Sequence, residues 1–393
     1  MNLSGNPFSP GAGNRPPEMA GRSAILAFAK ESLERVSMGR SRQYLLLLGL
    51  RGVGKTVLLN EIETIAEERG FLTSFIEAPE DRKLAELVYP LLRQTLRRLS
   101  AIEKARATVN NALSVLRNFA SAFKVSVGEV EIGINPMPGL AESGDIEIDL
   151  TDLFLAVGKA AKAADKSWLL LIDEVQYLSE KDLAALIVAL HRVNQKALPI
   201  FFVGAGLPQL ARLAGEAKSY AERLFSFSAI GPLNELDAKN AIVMPLQKEK
   251  VEIEQSALQE IVSKTGGYPF YIQEWAFHAW NAAESSPIKI VDVTLAEQSA
   301  IRRLDDGFFK VRLDRLTNAE IDYVNAMASL GNGPYKSTEV AKALKKDLST
   351  LGPRRASILL KGMIYSPSYG EIDFTVPLFD DFLRRNMLGK PKQ

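Results

Sequence analysis

The 393-residue chain contains no cysteine, which excludes disulfides, thiolate nucleophiles, Cys-ligated zinc and iron–sulfur clusters. It has only two histidines, His191 and His278, 87 positions apart, so His-rich metal sites are ruled out and a Ser-His-Asp triad fits poorly. An excess of either charge is also missing. With 48 Lys+Arg against 47 Asp+Glu the net charge is +1, and only a local basic face remains as a route to nucleic acid. The longest apolar runs, such as 44–48 and 168–172, fall far short of the roughly 20 residues a membrane-spanning helix needs. The start, MNLSGNPFSPGAGNRPPEMAGR, has four prolines and three glycines in its first 17 residues and no apolar h-region. A cytoplasmic protein without a membrane partner is therefore expected. The composition, 47% hydrophobic and 24% charged, is that of a globular protein, and the length predicts two or three domains. Glycine, lysine, carboxylate and arginine are left to carry any chemistry.

Hydrophobic periodicity predicts a helix over 22–36, a buried strand over 43–50, a helix over 56–69 stopped by Gly70, and a strand over 71–78. This order is a βαβ unit and points to an α/β fold. Residues 80–123 predict two helices, with a basic stripe at Arg93, Arg97, Arg98, Lys104 and Arg106 that reads as a solvated or partner-binding face. The alternation over 124–134 predicts a strand pair or extended arm, followed by a Pro/Gly loop over 135–144. A helix over 149–164 leads to a third strand, 168–174, and Ser179 with Asp182 opens a helix running to 196. Strands over 198–206 and 225–233 follow. From Asn234 the pattern is helical only: 234–250, 256–265, 269–284 and 293–316. A Thr317-x-x-Glu320 capping box then opens the last segment, with helices over 338–346 and 353–361 and a hairpin about Tyr369-Gly370. That order reads as a winged helix. The expected division is a leader at 1–18, a core at 19–233 with an insertion about 80–148, a helical lid at 234–315 and a winged helix at 316–393.

Residues 49–56, Gly-Leu-Arg-Gly-Val-Gly-Lys-Thr, fit G-x-x-x-x-G-K-[ST] at every fixed position, after a predicted strand and at the start of a predicted helix. Glycines let successive backbone N–H groups curl around a phosphate, and the helix N-terminus adds the positive end of its dipole. Gly49, Gly52, Val53, Gly54, Lys55, Thr56 and Val57 are thus the candidate ATP/ADP-binding residues. Lys55 reaches the β/γ oxygens, and the Thr56 hydroxyl ligates Mg²⁺. The apolar strand ending in Asp173-Glu174 is the partner motif. Asp173 would hold the magnesium, and Glu174 would polarise the attacking water, which favours ATP hydrolysis over phosphate transfer to a small molecule.

With both motifs in place the chain resembles the AAA+/STAND group of P-loop ATPases. More narrowly, it is similar to the bacterial and archaeal ATPases related to archaeal origin-recognition initiators. The likeness implies a five-stranded parallel sheet in the order 5-1-4-3-2, a helical lid and a C-terminal winged helix. Met19-Ala20-Gly21-Arg22 looks like the element these families pack against adenine, which implies a nucleotide role for Arg22. Gly267-Tyr268-Pro269 resembles the G-x-P motif of STAND lids, whose proline, here Pro269, touches adenine. Two departures stand out: the fourth strand ends in Gly204-Ala205-Gly206-Leu207-Pro208 without the usual polar sensor, and no arginine lies beside Pro269 as a second one. Both imply a slow, nucleotide-controlled switch rather than a motor.

Arg223 sits where such ATPases carry an arginine finger, and a finger acting in trans would imply a homo-oligomer. The other reading is an ordinary surface arginine. Residues 301–393 hold 16 basic and 11 acidic residues, so the remainder is mildly acidic at 32 against 36. Arg354, Arg355 and Lys361 lie on the helix that a winged helix would lay in DNA, which makes duplex DNA one candidate partner. The alternative is a signalling or regulatory scaffold whose winged helix docks on a protein partner. The aromatic cluster Tyr268, Phe270, Tyr271, Trp275, Phe277 and Trp280 has helical spacing and reads as lid core, and both histidines read as structural.

Overall fold

The computed structural model describes residues 1–11, 13–80, 82–125 and 139–388, with the main chain alone at Leu388. It divides into two compact units, one of residues 24–48 and 55–229, the other of residues 1–23, 49–54 and 230 onward.

The first unit is an α/β layer structure. After α1 (Ser23–Ser37), the apolar run 43–50 becomes β1 (Tyr44–Leu48), and α2 (Lys55–Glu68) leads to β2 (Leu72–Glu77). Three helices, α3 (Leu84–Ser100), α4 (Arg106–Ala122) and α5 (Ile146–Ala163), pack on one another before β3 (Trp168–Asp173). The chain continues through α6 (Glu180–Gln195), β4 (Ile200–Gly206), α7 (Leu210–Ala217), α8 (Ala221–Leu224) and β5 (Phe225–Ala229). All five strands are parallel, in the order β2-β3-β4-β1-β5, which is the expected 5-1-4-3-2 order counted from the other edge. Every residue of β3 and β4 is buried, which is why both read as unbroken apolar runs rather than alternating ones. The register pairs Leu48 with Gly206 and Ile172 with Gly204, so the C-terminal ends of β1, β3 and β4 lie along one edge. Ligands of open α/β sheets bind at that edge.

Helix α5 begins three residues before its apolar periodicity. The Asp145 carboxylate accepts from Glu147 N–H at 2.8 Å, and the fully buried Asp149 accepts from the N–H of Ser143 and Gly144 and from the Ser143 hydroxyl. Helices α3 and α4 stand where the sequence placed two helices. All of the alternating segment 124–134 past Val125, and the Pro/Gly loop as far as 138, fall outside the described residues.

The second unit is built mainly of helices: α9 (Glu235–Lys248), α10 (Gln255–Thr265), α11 (Pro269–Ala282) and α12 (Ile290–Leu304). The predicted continuous helix over 293–316 is interrupted. A π-helical turn over Asp305–Phe309 swings Phe309 into the core, stacked on Phe382 with centroids 5.2 Å apart, before α13 (Lys310–Leu313) resumes. The Thr317/Glu320 capping box forms in both directions at the start of α14 (Asn318–Ser329). Then come β6 (Tyr335–Lys336), α15 (Ser337–Ala343), α16 (Leu348–Leu360), β7 (Ile364–Tyr365), β8 (Glu371–Phe374) and α17 (Phe379–Leu388). The three short strands form an antiparallel sheet in the order β6-β8-β7, and β7 and β8 make the hairpin expected about Tyr369-Gly370. Helix α16 starts five residues earlier than read, with Pro353 in its second turn rather than at its head. One continuous apolar core runs through this unit, from Phe8 and Leu233 to Phe382 and Leu383. The boundary drawn at 315/316 falls inside it. The leader is part of it too, because Phe8 is buried, Asn6 bonds to the Phe277 carbonyl and Trp280 Nε1 donates to the Asn2 carbonyl.

Candidate nucleotide site

Between β1 and α2 the loop 49–54 must turn sharply, and its glycines are there for distinct spatial reasons. A Cβ on Gly49 would lie 2.2 Å from the Ile230 carbonyl oxygen, so no other residue fits. Gly52 and Gly54 have φ of +80° and +93°, conformations that L side chains rarely adopt. Arg22 braces the loop: its Nη2 donates to the Val53 carbonyl at 3.1 Å and to the Gly231 carbonyl at 2.7 Å. Burial lowers the Arg22 pKa, opposed by the charge of Asp237. The Gly267-Tyr268-Pro269 turn meets the same loop. Gly267 has φ +75° and its carbonyl accepts from the Leu233 N–H at 2.8 Å, Pro269 opens α11, and Phe270 N–H donates to the Gly52 carbonyl at 3.3 Å. The Arg51 N–H donates to the Thr375 carbonyl at 2.9 Å, just past β8.

Helix α2 opens with Lys55, which is buried, then Thr56 and the half-buried Val57. Thr56 Oγ1 donates to Asp173 Oδ2 at 2.5 Å, tying the first turn of α2 to the end of β3. Asp173 is only 4% exposed. Burial raises its pKa; the Thr56 hydrogen bond and the Lys55 charge oppose the rise, and neighbouring Glu174 adds to it. The other Asp173 oxygen accepts from Glu174 N–H at 2.8 Å. Glu174 itself sits at φ 53°, ψ 39°, in the left-handed region. Such a conformation costs a non-glycine residue about 1–3 kcal/mol and persists where its surroundings fix it. The Thr56 hydroxyl and Asp173 carboxylate are hard oxygen donors. Among the described residues no group of three or more His, Asp or Glu side chains could hold a metal. A two-oxygen pair suits Mg²⁺, which keeps several waters and takes its other ligands from phosphates.

Comparison with known proteins agrees with this geometry. Residues 18–203 match the family model described as an AAA ATPase domain, and residues 306–383 match a domain of unknown function, DUF8462. Among solved structures the chain is similar to the Walker-type ATPase PABY2304 of Pyrococcus abyssi, at 17% identity over 94% of this chain and 97% of that one, with a TM-score of 0.56. That likeness is one of fold. The Aeropyrum pernix ORC1 protein in complex with DNA matches at 16% identity, covering 95% of this chain and 94% of that one, with a TM-score of 0.46. The Thermotoga maritima RuvB Holliday junction branch migration motor matches at 15%, covering 96% and 99%, with a TM-score of 0.45. No curated protein matches.

Within the matched segment, the sequence reading passed over Gln176. It lies in the short 3-10 turn after Glu174, where its amide NH₂ donates to the Glu174 carboxylate and its amide oxygen accepts from the Leu207 N–H at 3.0 Å. The only sequence signal was a polar residue two positions after the acidic pair. Beyond the matched segment, Arg223 is exposed in α8, and its carbonyl accepts from Gln43 Nε2 at 3.2 Å. The His191 ring packs against Tyr220 in a tilted pair with centroids 4.4 Å apart, and burial lowers its pKa, helped by the charges of Arg192 and Arg223.

The candidate DNA residues occupy different settings. Arg354 and Arg355 are half-buried on α16. The Lys361 ammonium is held by the buried Glu320 carboxylate at 2.7 Å and by the Arg315 carbonyl at 2.9 Å. Lys342, Lys345 and Lys346 are exposed and, with Thr338 and Asp347, line an open cleft of about 380 Å³ between α15 and α16. The sequence counted these three lysines in its charge balance without singling them out. No helix among the described residues is long and apolar enough to cross a membrane.

Proposed function

We propose that the protein is an Mg²⁺-dependent ATPase that works as a nucleotide-controlled conformational switch. The observation that carries this reading is the Thr56–Asp173 hydrogen bond, which joins the two motifs that phosphate and metal binding would need. The main-chain N–H groups over 52–56 receive the phosphates, Lys55 neutralises them and Val57 supports the first turn of α2. Thr56 and Asp173 would hold Mg²⁺, which supplies charge neutralisation of phosphate oxygens when bound. Glu174 accepts a proton from the attacking water. Arg22 and Pro269 brace the loop and frame the base, and Arg223 serves a second copy of the chain in trans. The working division is an ATPase core over 19–233, a lid over 234–315 and a winged helix over 316–393. Turnover is slow because the end of β4 offers no polar side chain of its own.

ATP binding by calorimetry and phosphate release test this reading. Lys55→Ala should abolish ATP binding, while Glu174→Gln should bind ATP and stop turning over. Hydrolysis that survives in the Glu174 variant would sink its role as the base. Arg223→Ala should remove any rise of the per-subunit rate with protein concentration; a rate already flat in the unaltered chain counts against a trans role.

A second reading concerns the output. Lys342, Lys345 and Lys346 give the α15–α16 turn an exposed basic cleft, which favours contact of the winged helix with a DNA backbone.

A further inference from the structure

The end of β4 offers no polar side chain, yet the space beside it is not empty. A Cβ built on Gly206 would lie 2.5 Å from Gln176 Oε1, so β4 ends in glycine where the Gln176 amide needs the room. The amide is oriented without ambiguity. Leu207 N–H is a donor and must face the oxygen, at 3.0 Å, which leaves the NH₂ group for the Glu174 carboxylate. Glu174 is fixed from its other side as well, by the Asp173 carboxylate on its N–H and by its left-handed backbone. Two residues from different strand ends, 31 positions apart, are thus coupled to the carboxylate that must face water.

Building on the ATPase reading, we propose that Gln176 is a positioning residue that takes over, from the turn after β3, the polar role β4 lacks: it anchors on Leu207 N–H and aims the Glu174 carboxylate. The role is one of orientation, because a hydrogen-bond donor fixed at one oxygen sets the direction in which the carboxylate can accept a proton. Gln176 acts through Glu174 and makes no demand on nucleotide affinity.

The test uses the full chain and three variants, with ATP affinity, kcat and thermal midpoint measured for each. Gln176→Ala removes both bonds. Gln176→Glu keeps an acceptor for Leu207 N–H but presents a carboxylate, not a donor, to Glu174. Gly206→Ala crowds the amide out and also presses on Leu210 Cδ2, at 2.9 Å, while leaving the Leu207 N–H and the Glu174 carboxylate in place. Each should lower kcat by about 10- to 100-fold, the usual effect of losing a group that orients a reacting one, with the ATP dissociation constant changed less than about threefold. Gln176→Glu sets two carboxylates face to face and should lower the midpoint, so retained ATP affinity beside the lost kcat is what separates orientation from misfolding. Combined with Gln176→Ala, Gly206→Ala should lower kcat no further, since both remove the same interaction, whatever its methyl costs in stability against Leu210 Cδ2 at 2.9 Å. A kcat in Gln176→Ala and Gln176→Glu within twofold of the unaltered chain, or above it, overturns the proposal, as does full additivity of the pair. If the unaltered chain binds ATP but releases no phosphate, the ATPase reading itself fails, an outcome distinct from a variant that matches an active parent.

Discussion

Thr56 Oγ1 lies 2.5 Å from Asp173 Oδ2, bringing together two residues 117 positions apart. The carboxylate is desolvated, and burial is the main reason its pKa is raised. A carboxyl whose folded pKa lies above its unfolded value weakens the fold as pH rises through the carboxylate range. At neutral pH the charge on Asp173 therefore costs stability. Asp173→Asn can keep its oxygen for the Glu174 N–H and donate its amide to the Thr56 hydroxyl while discarding the charge, so its thermal midpoint at pH 7 should equal or exceed that of the unaltered chain. Its ATP affinity should lose most of its dependence on Mg²⁺. A lower midpoint with Mg²⁺ dependence intact would contradict both halves.

Two glycine-to-alanine changes should move stability in opposite directions. Gly49→Ala places a methyl 2.2 Å from the rigid Ile230 carbonyl and should cost about 2 kcal/mol or more, with loss of ATP binding. Gly215→Ala, exposed within α7 with no atom within 4 Å of the new methyl, should gain roughly 0.5–1 kcal/mol. Urea unfolding of both variants measures the contrast. Equal effects would mean that the loop relaxes around the methyl.

Glu320 predicts a pH dependence of the C-terminal segment. Burial pushes its carboxyl up, but hydrogen bonds from Lys361, Ser357 and Thr317 outweigh that and hold it at about 2, against an ordinary 4.5. A depressed folded pKa contributes stability that is fully present above the ordinary value and is lost as pH falls from 4.5 toward 2. Lys361→Ala should destabilise the unit by roughly 1.5–3 kcal/mol at pH 7, the range for a hydrogen bond to a charged group. It should also flatten the loss of stability as pH falls from 4.5 toward 2, read from thermal midpoints across that range. An unchanged slope would show that Ser357 and the Thr317 cap suffice.

The proposed DNA contact at the lysine cleft would carry a salt signature. Replacing Lys342, Lys345 and Lys346 with alanine should weaken duplex binding and reduce the slope of log affinity against log salt by about one for each phosphate no longer neutralised. Fluorescence anisotropy at several salt concentrations gives the slope. Lys361→Ala serves as the comparison, since its ammonium is already held by Glu320 and should leave that slope alone.

What could be read in advance was local. The phosphate-loop glycines, the apolar run ending in Asp173-Glu174, and Thr317 with Glu320 each declare themselves within a short stretch of chain, and β1, α2, β3 and α14 lie where those patterns put them. Gln176 could not be read so, because its meaning depends on Leu207, which only the pairing of β3 with β4 brings near. Lys361 looked like one more charge on a basic helix because its partner, Glu320, is 41 positions upstream. Strand β6 is two residues long, too short for any periodicity. Helix α17 did carry a signal in Phe379, Phe382 and Leu383 at helical spacing, all buried in the structure. The π-helical turn at 305–309 has no comparable pattern, and its reason lies in the aromatic core that receives Phe309.

The hydrogen bond between Arg51 and Thr375 is made entirely by main-chain atoms. Alanine scanning, however thorough, leaves both of them in place, so a survey of side chains reports on the Thr375 hydroxyl and its bonds to the Gly362 and Met363 carbonyls but not on this link, even if the link governs how the C-terminal segment responds to nucleotide. Only a change to the backbone itself reports on it. Proline at position 51 or an ester replacing the amide there removes the donor and makes the link between β8 and the phosphate loop measurable.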